Sequence, residues 1–316
     1  MMRRAGWVIA AMVLVALLVV AVRRIDMDRL ILQLRSVRVL WLVAAMGCYV
    51  AILPLWALLW RILAPPAEHN TVGRMLGVVA MASSTLHTTA FLVGEAAGIT
   101  LLVTRVGLSR SAALSVMAMD QLLVGITKLV VLATGALTLT LPRWMSAGVV
   151  ALSVVVPALL GGCLLTAWRH KELALLAARF VPERAARAIA TMGEALAPLR
   201  SPARAGGALL LALAKKVVEV MAILCVQRAF GISLPLASGV LVLAALNVAT
   251  LIPLVPGNFG VYEGAVVLTY THLGLSPEQA AGIAVVQHAC YFAALALPGY
   301  AWLAARGVSR TAAAAS

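Results

Sequence analysis

Ionised side chains are scarce in this chain: Asp, Glu, Lys and Arg make up 11% of the 316 residues, and only 11 residues are acidic. A soluble domain carries about 25% charged residues, whereas here 63% of the chain is apolar and the mean hydropathy is +1.04. A water-soluble globular enzyme is excluded. The four cysteines, Cys48, Cys163, Cys225 and Cys290, sit in separate apolar blocks without CxxC spacing, which reads as buried thiols and not a disulfide or metal framework. The five histidines make no HExxH: His69 and His170 fall in loops, His87 stands among hydroxyls, and His272 and His288 are too far apart to share a ligand. Nucleophile elbow, Walker loop and dinucleotide fingerprint are missing as well. No metal, no cofactor and no enzymatic activity are expected.

What the chain has is long apolar runs, each about as long as the 20 residues a helix needs to cross a bilayer. The run 7–22 lies between Arg3–Arg4 and Arg23–Arg24 without a cleavage site, and reads as an uncleaved first span. Five more full spans are expected at 40–60, 112–138, 147–167, 207–226 and 279–303. Trp7, Trp41, Trp60, Trp144, Trp168 and Trp302 fall at or near block edges, where an indole is expected to sit at the headgroups. Between the apolar blocks gather most of the 25 basic residues behind the net charge of +14. The segment 169–206 reads as a cytoplasmic amphipathic loop that attracts anionic lipid headgroups, with no motif for nucleic acid.

Two further apolar stretches are interrupted. Residues 72–103 contain Ser83, Ser84, Thr85, His87, Thr88 and Thr89, then Gly94, Glu95 and Gly98; residues 237–271 break at Pro253, Pro256, Gly257, Asn258 and Gly260 and then carry Glu263. Irregular backbone at membrane depth needs protein or a wet cavity around it, so both are expected to be re-entrant hairpins, broken at Ser84 and at Asn258 on opposite sides of the midplane. Each is followed by a similar turn. TRVGLSRSAALSV from Thr104 overlays THLGLSPEQAAGI from Thr271, pairing Gly107 with Gly274, Leu108 with Leu275, Ser109 with Ser276 and Ala113 with Ala280. The expected architecture is thus an all-α polytopic membrane protein forming a single domain over 1–316. It has about six full spans and two re-entrant hairpins, in repeats 72–138 and 237–304. Three full spans separate the hairpins, which inverts the repeats, as in many transporters. Eight spans is the alternative, and the positive-inside count hardly separates the two.

Seven charges fall within apolar blocks: Glu95, Asp120, Lys128, Lys215, Lys216, Glu219 and Glu263. Each costs roughly 2.5 to 3.5 kcal/mol at the bilayer centre unless it faces protein or water. Lys215 and Lys216 stand four and three residues before Glu219, within pairing distance on one helix face. Asp120 and Lys128 are eight apart, open to either a polar path or a headgroup boundary with Lys128 snorkelling. Glu95 and Glu263 are flanked by glycines, Gly94 and Gly98 in one case and Gly260 and Gly264 in the other, which permits either a ligand or a helix-packing seam.

LIPLVPGNFGVYEGAVV, residues 251–267, resembles the proline, proline-glycine, glycine-x-x-glutamate signature of the lysylphosphatidylglycerol synthase transmembrane region, or flippase-like, family. FLVGEAAGITLLVTRVGLS, residues 91–109, is similar to that family's glycine-glutamate marker. The resemblance covers the whole chain, including its hopanoid-associated branch, without an aminoacyl-transferase domain. It implies a bacterial inner-membrane protein that moves an amphiphilic lipid between leaflets, with Gly94, Glu95, Pro253, Pro256, Gly257, Gly260 and Glu263 along the substrate path; Gly98 and Asn258, in the same interrupted stretches, are expected to line it too. Leu92 and Val93 before Gly94, and Asp120 with Gln121 on the next helix, depart from the family's pattern. Two other readings stay open: an ion-coupled small-solute carrier, and a membrane subunit that docks a lipid-biosynthesis enzyme.

Overall fold

A computed structural model describes residues 31, 34–66, 70–177, 201–251 and 255–314. The expected first span at 7–22, Pro253, His69 and most of the basic segment 169–206 lie outside the described residues. Within them the chain is helical, and no strand occurs. The helices are α1 (Val39–Leu63), α2 (Val72–Thr88), α3 (Phe91–Leu101), α4 (Arg110–Thr138), α5 (Ser146–Ala177), α6 (Pro202–Ala229), α7 (Leu236–Ala249), α8 (Val261–His272) and α9 (Pro277–Ala314).

Four stretches are long and apolar enough to cross a membrane: Val39–Leu63, Arg110–Thr138, Arg143–Gly162 and Pro277–Ala305. Residues 207–226, expected as a span, lie within the 28-residue helix α6, about 42 Å long at 1.5 Å per residue. The three charges in its middle, Lys215, Lys216 and Glu219, set it apart from those four. Helix α6 runs antiparallel to α1, since the Arg38 N–H donates to the Ala229 carbonyl at 2.9 Å while Gly207 faces Ile62 at the other end.

Both interrupted stretches fold as pairs of short helices, 17 and 11 residues in α2 and α3, and 14 and 12 in α7 and α8. The first break does not fall at Ser84, as the cluster of hydroxyls had suggested. It comes at Thr89–Ala90, where Ala90 leaves the helical conformation. Thr85, Thr88 and Thr89 each donate to the carbonyl four residues back, at 2.9, 2.7 and 2.7 Å, so the hydroxyls satisfy themselves inside a helix. The second break follows the proline-glycine sequence and forms a tight tip at Pro256–Asn258.

Ser83 and Ser84 serve a different contact. Pro298 sits inside α9, where it cannot donate a backbone hydrogen bond. Nearby, the Leu295 carbonyl accepts from Ser83 Oγ at 2.9 Å and the Gly299 N–H donates to Ser84 Oγ at 2.9 Å. Side chains of α2 thus complete the backbone of α9. Gly299 permits the approach, because a Cβ there would collide with the Ser84 hydroxyl and the Ala80 carbonyl.

The two Gly-Leu-Ser turns are built alike. Gly107 and Gly274 adopt φ of 81° and 90°, the left-handed region that closes a helix cheaply only with glycine. The N–H of the following leucine reaches back to Leu102 O at 3.3 Å in one copy and to Tyr270 O at 3.0 Å in the other. Ser109 and Ser276 then open α4 and α9, their hydroxyls accepting from the N–H groups of Ala112 and Gln279. The turns lie at opposite ends of α4. The first leads into its start, and His272, just before the second, reaches Thr140 beyond its end, Nε2 to O 3.0 Å.

Candidate functional site

None of the seven intramembrane charges is exposed; Asp120 is buried at 1% and the other six are partly buried. They fall into groups that touch one another across α1, α3, α4, α6, α8 and α9. On α3, Glu95 accepts from Gln121 Nε2 of α4 at 2.9 Å and lies within electrostatic reach of Asp120. Asp120 Oδ2 accepts from Trp56 Nε1 of α1 at 3.1 Å, while its Oδ1 is buried without a hydrogen bond. Lys215 Nζ stands 4.5 Å from the Trp56 ring centroid, a cation–π contact, and also feels Asp120. Asp120 therefore faces the interior of the bundle.

A single residue step around the helix decides the lysines. Lys216, three residues before Glu219, makes the ion pair at 2.8 Å. Lys215 points to Trp56 and Asp120 instead. Lys128 of α4 lies within electrostatic reach of both Lys216 and Glu219.

Glu219 also feels Tyr49 of α1, His87 of α2, Tyr262 of α8 and Tyr291 of α9. These aromatic groups lead to the second hairpin. Tyr262 stacks on His288 with centroids 4.2 Å apart and planes 12° from parallel. His288, exposed by only 2%, places Nδ1 2.7 Å from Glu263 Oε1 and Nε2 2.9 Å from the Gly257 carbonyl. Glu263 Oε2 accepts from the Gly260 N–H at 2.7 Å, which caps α8. The histidines were expected to assemble into nothing, and this is the principal correction. His288 and Glu263 are 25 residues apart, on different helices, so no spacing rule connects them. The available signal was the depth of His288 within an apolar run.

His87 belongs to the same cluster, with Nδ1 2.7 Å from Ser83 O and Nε2 3.1 Å from the Tyr291 hydroxyl. The two hairpins meet here: a Cβ on Gly257 would lie 3.1 Å from the His87 carbonyl. Asn258, also in this tip, has φ 55°, and Pro256 opens it. Among the first-hairpin glycines, Gly94 packs against Leu86 of α2, and Gly98 faces Met117 and Trp60. Gly94 and Gly98 are thus packing positions, whereas Gly264 has no close neighbour. Trp60 is fully buried among the helices, while Trp41, Trp144 and Trp168 are exposed. Among the described residues, no three His, Cys, Asp or Glu side chains cluster to hold a metal ion.

A helical, apolar bundle with several membrane-length helices and an interior band of charge is a multi-pass membrane protein. The chain belongs to the family described as the lysylphosphatidylglycerol synthase TM region, whose model matches residues 7–299 of 316. No curated protein and no solved structure matches it.

Proposed function

We propose that this protein carries an amphiphilic lipid between the leaflets of a bacterial inner membrane, without catalysing a reaction. The observation that carries this reading is the polar band from Glu95 through Asp120, Lys215, Lys216 and Glu219 to His288 and Glu263, set in an otherwise apolar bundle. Charges at such depth are retained for a use, and a headgroup bearing both phosphate and amine finds both signs along the band. Acyl chains would remain in the bilayer. Membership of a family named for a lipid synthase's membrane region supports the choice of lipid over small solute.

Two inverted repeats would supply the motion. In favour are the contact between the hairpin tips and the two Gly-Leu-Ser turns at opposite ends of α4. His288 also lies about 17 Å along α9 from Pro277, at 1.5 Å per residue, near the middle of a core of about 30 Å. The basic segment 169–206 would hold anionic headgroups or a biosynthetic enzyme at the cytoplasmic face.

Purified chain in phospholipid vesicles, with a fluorescent phospholipid quenched from outside by dithionite, tests the reading. Asp120→Asn and Lys215→Met should each slow transfer by about tenfold, equivalent to roughly 1.4 kcal/mol of barrier. Wild-type rates in both variants would overturn the band as the path.

A further inference from the structure

We infer that Glu263 and His288 form a proton-binding site that latches the second hairpin tip to α9, so that transport is linked to proton movement. The inference deepens the carrier reading and rests on it for its purpose, but not for its chemistry. Both nitrogens of His288 face acceptors: Nδ1 faces a carboxylate oxygen of Glu263 at 2.7 Å, and Nε2 faces the Gly257 carbonyl at 2.9 Å. A neutral imidazole has one N–H. Making both contacts requires two protons among Nδ1, Oε1 and Nε2, arranged as imidazolium with carboxylate or as imidazole with carboxylic acid. Either arrangement is electrically neutral.

Removing one proton leaves a carboxylate, a neutral ring and a net charge of one negative unit. The remaining N–H stays with the carboxylate, the stronger, charge-assisted partner. Nε2 then turns a lone pair toward the lone pairs of the Gly257 carbonyl, and the tip Pro256–Gly260 loses its tether. Of the two groups Glu263 is the accessible one, 27% exposed at its side chain against 2% for His288, so the proton leaves from the carboxylate side. Gly260 stays bonded to Glu263 Oε2, so α8 remains capped while the tip before it is released.

His87 provides the internal contrast. Its Nδ1 faces the Ser83 carbonyl and its Nε2 faces the Tyr291 hydroxyl, which can donate, so a single neutral tautomer satisfies both contacts. It needs no second proton. The titratable groups facing the latch are Tyr262 of α8, Tyr291 of α9, His87 of α2 and Tyr49 of α1, with Glu219 of α6 within electrostatic reach of all four. Phe259 and Phe292 flank the ring. Lys216 already neutralises Glu219 at 2.8 Å, which leaves Glu263 as the carboxylate in contact with the ring.

The test reads release of the tip. Full-length protein in vesicles, with the four native cysteines replaced by alanine, carries Val255→Cys beside the tip. Its maleimide labelling rate is divided at each pH by that of a control cysteine at Ser111, and the same ratio in the two variants below, which keep both thiols, removes any difference in thiol ionisation. The ratio should rise with pH, by up to about tenfold per unit, the limit for one proton. It should be flat in His288→Gln and in Glu263→Gln, neither of which can complete the proton pair. A flat ratio in the protein with both ring and acid intact overturns the latch, and so does an unchanged rise in the variants. If one variant fails to fold, the other and the parent profile still decide. Lipid transfer is measured in the same vesicles. Transfer with a pH-flat tip removes the latch and leaves the carrier, whereas a pH-dependent tip without phospholipid transfer removes the carrier and leaves the proton site.

Discussion

Glu219 is the residue on which the interior charges converge, pairing with Lys216 and feeling Lys215, Lys128 and His87. Removing one partner of a buried pair leaves an uncompensated charge, typically at a cost of about 3 to 5 kcal/mol. Glu219→Gln should therefore lower the melting temperature in detergent more than Lys216→Met/Glu219→Gln does, with a coupling of about 1 to 3 kcal/mol. The cycle with Lys215→Met should give a smaller coupling, since that ammonium rests on Trp56. Equal couplings for the two lysines would contradict the geometry. The i,i+3 pair was legible in the sequence because helical spacing alone brings it together. The Trp56–Asp120 hydrogen bond was not, since 64 residues separate its ends and Trp56 lies inside a span, not at its edge.

At the scale of elements, the strongest constraints act where helices break. Gly257 combines φ 65° with a ring carbon of Phe259 that would lie 2.7 Å from any Cβ. Gly257→Ala should cost about 1 to 3 kcal/mol, from left-handed strain and crowding together, and a melt within error of the parent would refute the tip geometry. Glu263→Ala removes the acceptor that caps Gly260 as well as the partner of His288, whereas Glu263→Gln keeps an acceptor. The alanine variant should be the less stable by about 1 kcal/mol, the usual worth of a helix cap, as compared by thermal melts. Span boundaries followed the apolar runs closely, as with the expected 112–138 and the observed Arg110–Thr138. The first break was misplaced because serine and threonine disturb a hydropathy pattern without disturbing a helix, provided that their hydroxyls find carbonyls one turn back.

For the whole molecule, the decisive question is which way each half faces. If the repeats are inverted, a cysteine at Ser111 and one at Glu278, each just after its Gly-Leu-Ser turn, react with a membrane-impermeant maleimide from opposite sides. Reaction of both from one side would exclude inversion. Sequence could suggest the duplication through a shared turn but not its sense, because orientation is a property of packing across more than 130 residues, such as the His272–Thr140 contact.

The hydroxyls of Ser83 and Ser84, which complete the α9 backbone beside Pro298, also limit how the bundle can move. Sliding α9 along α2 by a single residue would break both contacts at once and leave the Leu295 carbonyl and the Gly299 N–H, four residues apart beside the proline, with only each other to turn to. The two helices are spliced, not merely stacked: they must travel together as one rigid spar, and any rearrangement of the bundle has to be hinged elsewhere along its length.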